Sequence, residues 1–524
     1  MGQFQVGVKA GVGPVVKVLN NDVDDPFTVP NTAYGKWIFN SETSKYGYVA
    51  GSYQWDLAGS DLTWGPTAGL AVNHYFPTGV SSTSPFKVVT SKWVSTPGDT
   101  RYELMIEINT AWAGHSDLLS KHWFGEVIFF STPPSAGANL AQRRNNVNAA
   151  NPISNLWQFV YTAAGAGAWG SEQEVKKPDM RRDLLLAAPI PNGDVWYRLR
   201  LFVTDMPADD AAYLTNGTPV AGQRVLDVDF DQGILRAARP GFATDTGTSE
   251  QMILSDDRIP MKIAGTGLVT NIAAGATALV TPNYPITPTA LVLYQINDVG
   301  EPLFVPPRPK TLSTTNLVTH RVIFSGGVWK VEFTNRTADP IDLRYIIMAD
   351  DAEEPTAGTG TVMQVEPGIL RFIRPGAAAS PSSRDVILDS RTVSLPIVAE
   401  GFLDHTNRVA SDIGVYGTHV IQVNFANDGT WKPFVMATAR IRQIGAPNAI
   451  AWRDLYNRWL SYTSPDRNSA LAFTCRLTDT SAKFYGYVGG NPNVVNRLGS
   501  GVINYNEWDF YGVRYYIFAI PLSL

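Results

Sequence analysis

The chain has 524 residues, too many for one ordinary core, and its 44% hydrophobic share excludes wholesale disorder. Only 17% of residues are charged while 11% are aromatic, with 45 Gly and 35 Pro, a composition that excludes a helical bundle, a coiled coil and a doubly wound α/β enzyme and describes short strands joined by tight loops. A formal net charge of −5 offers no basic face for nucleic acid and no pull toward an anionic membrane surface, and one cysteine forbids a disulfide framework or a multi-cysteine metal site.

From its start, Met1-Gly2-Gln3-Phe4-Gln5-Val6, the chain shows no charged segment followed by an apolar one, and no run of 18 apolar residues follows. The expectation is a protein made in a cytoplasm, with no membrane insertion. The first predicted module spans 1–207. In it Val6-Gly7-Val8 leads through a polar stretch to Trp37-Ile38-Phe39-Asn40-Ser41-Glu42, and Trp196 to Val203 reads as a closing strand. An insertion at about 133–190, rich in Ala, Gly, Asn and Pro, reads as loop. The middle module, 228–352, shows plain strand runs at 290–294, 320–324 and 329–333, with Ser325-Gly326-Gly327 as a hairpin turn. An acidic, then Gly/Thr/Pro stretch at 350–360 reads as a solvated linker. The last module, 365–524, closes on Val513 to Ile520 and carries an insertion at about 440–500, where 450–459 reads as a short helix. Two triplets, Asn216-Gly217-Thr218 and Asn335-Arg336-Thr337, match the glycosylation pattern and read as chance in a chain without a secretion signal.

The chain repeats itself. Gly233-Ile234-Leu235-Arg236 and Arg239-Pro240-Gly241 recur 135 residues later as Gly368-Ile369-Leu370-Arg371 and Arg374-Pro375-Gly376. After one gap, Leu254 and Ile263 recur as Leu388 and Ile397. A fainter third copy aligns Ile38-Phe39-Asn40-Ser41 with Ile253-Leu254-Ser255-Asp256 and Ile387-Leu388-Asp389-Ser390. A tyrosine follows each copy, at 75, 284 and 416. The predicted fold class is mainly β: three tandem antiparallel β-sandwich-like modules with loop-rich insertions. Arg239, Pro240, Gly241, Arg374, Pro375 and Gly376 are expected at structural turns, where Pro fixes φ and Gly supplies positive φ.

Those segments, with Phe39-Asn40-Ser41-Glu42 and Asn283-Tyr284-Pro285, resemble a β-rich module of minor tail, tail-tip and tail-fibre proteins of tailed bacteriophages. The resemblance implies a place in a virion and brings no catalytic residues with it.

The residues themselves are poor in chemistry. No nucleophile elbow, paired-histidine zinc motif or phosphate-cradling loop occurs. His115, His122 and Glu126 share one face only if their segment is helical, and the strand-like Val127-Ile128-Phe129-Phe130 argues against it. Asp209-Asp210, Asp256-Asp257 and Asp350-Asp351 are adjacent, a spacing that suits solvated turns better than glycoside hydrolysis. No catalytic residue, metal or cofactor is expected. The near-copies Tyr46-Gly47-Tyr48 and Tyr485-Gly486-Tyr487 read first as core and then as contact surface. Trp157, Trp169, Trp452 and Trp459, all in the insertions, are the candidate interface anchors.

The leading expectation is therefore a non-enzymatic structural protein of a phage tail, made in the host cytoplasm and released by lysis. Its partners are other virion proteins, copies of itself within the particle, and a host surface glycan or receptor. The alternative is a carbohydrate-binding adhesin or depolymerase acting on host glycans; a further alternative is a head decoration or head fibre.

Overall fold

The computed structural model describes residues 4–9, 13–42, 45–58, 71–76, 86–95, 99–108, 121–130, 156–159, 196–205, 217–218, 220–229, 234–239, 241–247, 251–255, 259–287, 290–298, 303–305, 318–335, 339–349, 357–360, 362–367, 369–410, 418–443, 446–454, 472–487 and 508–522. Between 50 and 205, and from 438 to 454, the backbone alone is described.

The fold is mainly β, and all strand pairings among the described residues are antiparallel. The first third carries Phe4–Lys9 (β1), Gly13–Leu19 (β2), Trp37–Asn40 (β3), Lys45–Tyr46 (β4), Tyr48–Ala58 (β5), Ala71–Phe76 (β6), Phe86–Ser95 (β7), Asp99–Ile108 (β8), Lys121–Phe130 (β9), Leu156–Phe159 (β10) and Trp196–Asp205 (β11). The middle carries Leu226–Asp229 (β12), Ile234–Ala238 (β13), Met252–Leu254 (β14), Ile259–Pro260 (β15), Lys262–Ile272 (β16), Thr277–Val280 (β17), Val292–Asp298 (β18), Leu303–Val305 (β19), Val318–Ser325 (β20), Val328–Asn335 (β21) and Ile341–Met348 (β22). The last carries Met363–Glu366 (β23), Ile369–Ile373 (β24), Val386–Asp389 (β25), Val393–Ser394 (β26), Pro396–Asp404 (β27), Arg408–Val409 (β28), Thr418–Asn424 (β29), Trp431–Gln443 (β30), Ala446–Asp454 (β31), Ala472–Leu477 (β32), Ser481–Tyr487 (β33) and Trp508–Pro521 (β34).

Each third opens on a small three-stranded sheet, β1-β2-β3, β12-β13-β14 and β23-β24-β25. The register is the same in all three. Val18 faces Phe39, Ala237 faces Leu254 and Phe372 faces Leu388, and a bulge comes directly after in each sheet. A two-residue strand comes next (β4, β15, β26), then a long strand (β5, β16, β27). The closing strand of each third, β11, β22 or β34, pairs with that long strand, and near the clasp end each ladder skips one residue, Ala50, Ala264 or Val398. A bulge bends its strand and turns the residues beyond it in a new direction. Here it separates the end shared with a neighbouring third from the end that stays in its own sandwich.

The two-residue strands do not stay at home. β15 pairs with β5, β26 with β16, and β4 with β27. Each third thus clasps the one before it, and the first clasps the last, so the arrangement is a closed cycle. Met261 donates its N–H to Gly47 O at 2.9 Å, and Leu395 donates to Met261 O at 2.9 Å. These three residues each lie between a clasp and its long strand.

Two layers of core result. The sheet β17-β21-β20 covers the strands β16, β18 and β22 over Val292, Val331, Phe333, Leu343 and Ile347. In the last third, β29, β32 and β33 cover β30 and β34 over Ile421, Val435, Phe484 and Ile517. The opposite faces of the same inner strands meet each other: Leu293, Ile346 and Met348 pack with Ile397, Met436, Tyr516 and Phe518. Because successive side chains on a strand point to opposite faces, strands buried on both sides read as unbroken apolar runs, as Tyr345-Ile346-Ile347-Met348 and Tyr515-Tyr516-Ile517-Phe518 do.

Three expectations need correction. Residues 450–454 are strand β31, paired with β30, and not helix. The apolar residues there, Ile450 and Trp452, alternate as well as they spiral, and the long partner strand decides. The described parts of the insertions are strand and not loop: 156–159 is β10, and within 440–500 lie β31, β32 and β33. Finally, the linker is partly docked: Gly358 N–H donates to Gly376 O at 2.8 Å and Gly360 N–H to Ala377 O at 2.8 Å.

Candidate functional site

Where the three small sheets converge, their matching residues form one core. Val18, Ile38 and Phe39 come from the first third, Ala237, Ile253 and Leu254 from the second, and Phe372, Ile387 and Leu388 from the third, joined by Tyr46, Tyr48 and Val393. Phe39 and Tyr46 stack with centroids 4.8 Å apart, and the Tyr46 hydroxyl accepts from Asn40 N–H at 2.7 Å. Burying such side chains stabilises by about 1.5–3 kcal/mol each, so this shared core is a principal joint of the molecule.

Charged groups surround the joint, and the carboxylates there are committed to cations. Glu42 pairs with Lys9 at 2.7 Å and with the buried Lys17. Burial pushes the Glu42 carboxyl up, but hydrogen bonds from Lys17 and Lys9 outweigh it and hold the group below its ordinary value. Asp389, fully buried, receives Arg371 at 3.0 Å and Arg391 at 2.7 Å. Here too burial raises the carboxyl while the Arg391 and Arg371 contacts prevail and lower it. Arg391 also lies 4.8 Å from the ring of Tyr284, tying the last third to the middle one. A third cluster spans first and last thirds: Glu400 accepts from Lys45 at 2.6 Å and from Arg514 at 3.2 Å. Toward the other end of β34, where Trp431 faces Pro521, the helical turn Tyr34–Lys36 packs on the last third. Tyr34 meets Trp431 edge to face at 6.0 Å, and a Cβ on Gly35 would overlap the Thr430 carbonyl.

The turn residues lie just outside this joint. Phe242 N–H donates to Arg239 O at 3.0 Å and Ala377 N–H to Arg374 O at 3.2 Å, with Gly241 at φ +86° and Gly376 at φ +73°. Arg374 reaches Asp385 at 2.8 Å, and Arg239 is buried. Pro240 lies outside the described residues; Pro375 occupies the turn between Arg374 and Gly376.

The remaining sequence candidates scatter. Trp157 is on β10 and Trp452 on β31, strands that approach each other within 8 Å. Trp169 and Trp459 lie outside the described residues, as do His115, Tyr416 and the three aspartate pairs. His122 and Glu126 fall on strand β9, so the helical face that would have aligned them with His115 does not form. Tyr46 and Tyr48 are buried at the joint while Tyr485 is buried in the outer sheet of the last third, so the two Tyr-Gly-Tyr segments are not structural equivalents. Asn335 is buried, its amide donating to the Ile272 and Asp339 carbonyls at 2.8 Å, a structural role.

Sequence reasoning missed the clasps and the ion pairs. Extending the Ile263/Ile397 match back by two residues reaches Met261 and Leu395, so a signal existed. It also missed the apolar tip of the β20–β21 hairpin, where Phe324 stays half exposed against Trp329 at 5.2 Å. Among the described residues no His, Cys, Asp and Glu group could hold a metal ion, and no helix is long and apolar enough to cross a membrane.

The arrangement is adhesive: an apolar joint bordered by ion pairs, with the Glu42 and Asp389 carboxyls held below their ordinary values by their cations. No family model, no curated protein and no solved structure matches the chain.

Proposed function

We propose that the chain is a non-enzymatic structural component of a bacteriophage virion, a minor tail, tail-tip or tail-fibre protein that contributes to tail assembly and host attachment. The observation that carries this reading is the closed cycle of three clasped β units around one shared core. Such a joint holds a fixed shape against load, and the carboxylates around it are occupied in holding it. The tail-like segments also take part: Phe39 sits in the joint, Tyr284 meets Arg391, and both Arg-Pro-Gly segments border it.

In this reading the chain is made in the host cytoplasm, joins other tail proteins and is released by lysis. Mass spectrometry and antibody labelling of purified particles test it. The chain is expected in intact particles, with gold label at the tail and not the head. Label on the head surface would favour a decoration protein, and absence from washed particles would overturn the virion assignment.

A further inference from the structure

We propose that the chain is a single-chain pseudo-trimer whose threefold joint is closed within one copy, and that one copy takes the place three identical subunits would take on a threefold axis. The first half stands on the geometry alone; the place on an axis rests on the tail reading above.

Clasp and acceptor are different surfaces, so the contact between thirds is head-to-tail. Head-to-tail contacts either grow without limit or close when the rotation permits, and three equal steps close at threefold symmetry. Here all three steps are visible: β15 on β5, β26 on β16, and β4 on β27. The equivalence extends to single residues. Ile259 opposite Val49, Val393 opposite Ile263 and Lys45 opposite Ile397 occupy one position in the cycle. The skipped residues Ala50, Ala264 and Val398 come one place after Val49, Ile263 and Ile397. Gly47, Met261 and Leu395 form a chain of backbone bonds through the centre.

With each of the three acceptors filled by a clasp of the same chain, nothing of this contact is left over for a second copy. Further copies therefore cannot enter through the joint, and the partner suited to such a body is a protein ring with threefold rotational symmetry, met along the axis. The last third departs from this symmetry away from the clasps, where its strand β32 pairs with β19 of the middle third.

The closing step is the one to test. Lys45 and Ile397 are directly opposed across an antiparallel pair, a separation that suits a disulfide. The full chain carrying Lys45→Cys and Ile397→Cys, oxidised after folding, should give an internal bond: a fast-migrating monomer on a non-reducing gel and 57.2 kDa by light scattering. A ladder of covalent dimers and trimers would mean that β4 clasps another copy, and would overturn closure. Should the double variant fold poorly, light scattering of the unaltered chain decides: 57.2 kDa is expected, and three times that mass overturns it. Copy counting in purified particles tests the place on the axis, with one copy per threefold ring expected and three refuting it. Absence from particles removes the tail reading and the axis position together, while the disulfide result still decides closure.

Discussion

Leu395 donates its backbone N–H to the carbonyl of Met261 at 2.9 Å, joining two residues that hold the same position in successive thirds of the chain. Met261 in turn donates to Gly47, so a residue from each third takes part in one short backbone chain. Both Met261 and Leu395 are fully buried, and unpaired polar backbone there would cost about as much as a lost hydrogen bond. The thirds are thus tied by their main chains as well as by packing.

The Glu42 and Asp389 carboxyls are both held below their ordinary values in the folded chain. A carboxyl lowered by folding adds stability that is complete above its unfolded value and is lost as pH falls through its folded one. Thermal midpoints should therefore hold between about pH 5 and 7 and fall steeply below about pH 4. Asp389→Asn should cost about 1.5–3 kcal/mol at pH 7, since Arg371 and Arg391 lose their charged acceptor, and should flatten the acid limb. An unchanged acid limb in the variant would contradict the assignment.

Two glycines at matching turns should respond differently to Ala. Gly376 sits at φ +73° with open space around it, so Gly376→Ala meets backbone strain alone, about 1–2 kcal/mol. Gly241 has φ +86° and faces the Gly217 backbone, which a Cβ would overlap. Denaturant titration should rank Gly241→Ala as the more damaging of the two, and the reverse order would show that the packing on Gly217 is dispensable.

Gly35 faces Thr430 across the contact between first and last thirds. Overpacking of a tight contact costs about 1–3 kcal/mol, so Gly35→Ala should lower the melting temperature and speed proteolysis near the contact. Thr430→Ala alone should be mild, because the clash is with a main-chain oxygen that it leaves in place.

Cys475 is fully buried, and burial pushes its thiol well above the ordinary value although the Lys483 backbone bond acts the other way. The thiolate is the reactive form, so native protein should resist a thiol reagent at neutral pH and label at one site once unfolded in denaturant. Rapid labelling of native protein would place Cys475 nearer the surface.

The duplicated stretch around Gly233 and Gly368 was legible because a strand and the turn after it repeat at seven of nine positions, 233–241 against 368–376. The closing strands were legible too, since burial on both faces leaves only apolar and aromatic choices. The clasps were not. A strand of two residues, such as Lys45–Tyr46, is too short to show alternation, and its partner at Pro396–Ile397 is far along the chain. The ion pairs failed for a related reason: Glu400, Lys45 and Arg514 are ordinary residues until the fold brings them together. At 450–454 local pattern was ambiguous, and pairing with β30 chose the strand.

The Lys45–Glu400 contact spans 355 positions of sequence. A ribosome adding ~5–20 residues per second needs roughly 20–70 s to supply Glu400 after Lys45 has been made. For that interval the apolar face meant for the last third has nothing to lie against, and the first third must wait as an open half-cycle. Slower translation or scarce chaperone is therefore expected to lower the share of chain that reaches its closed form.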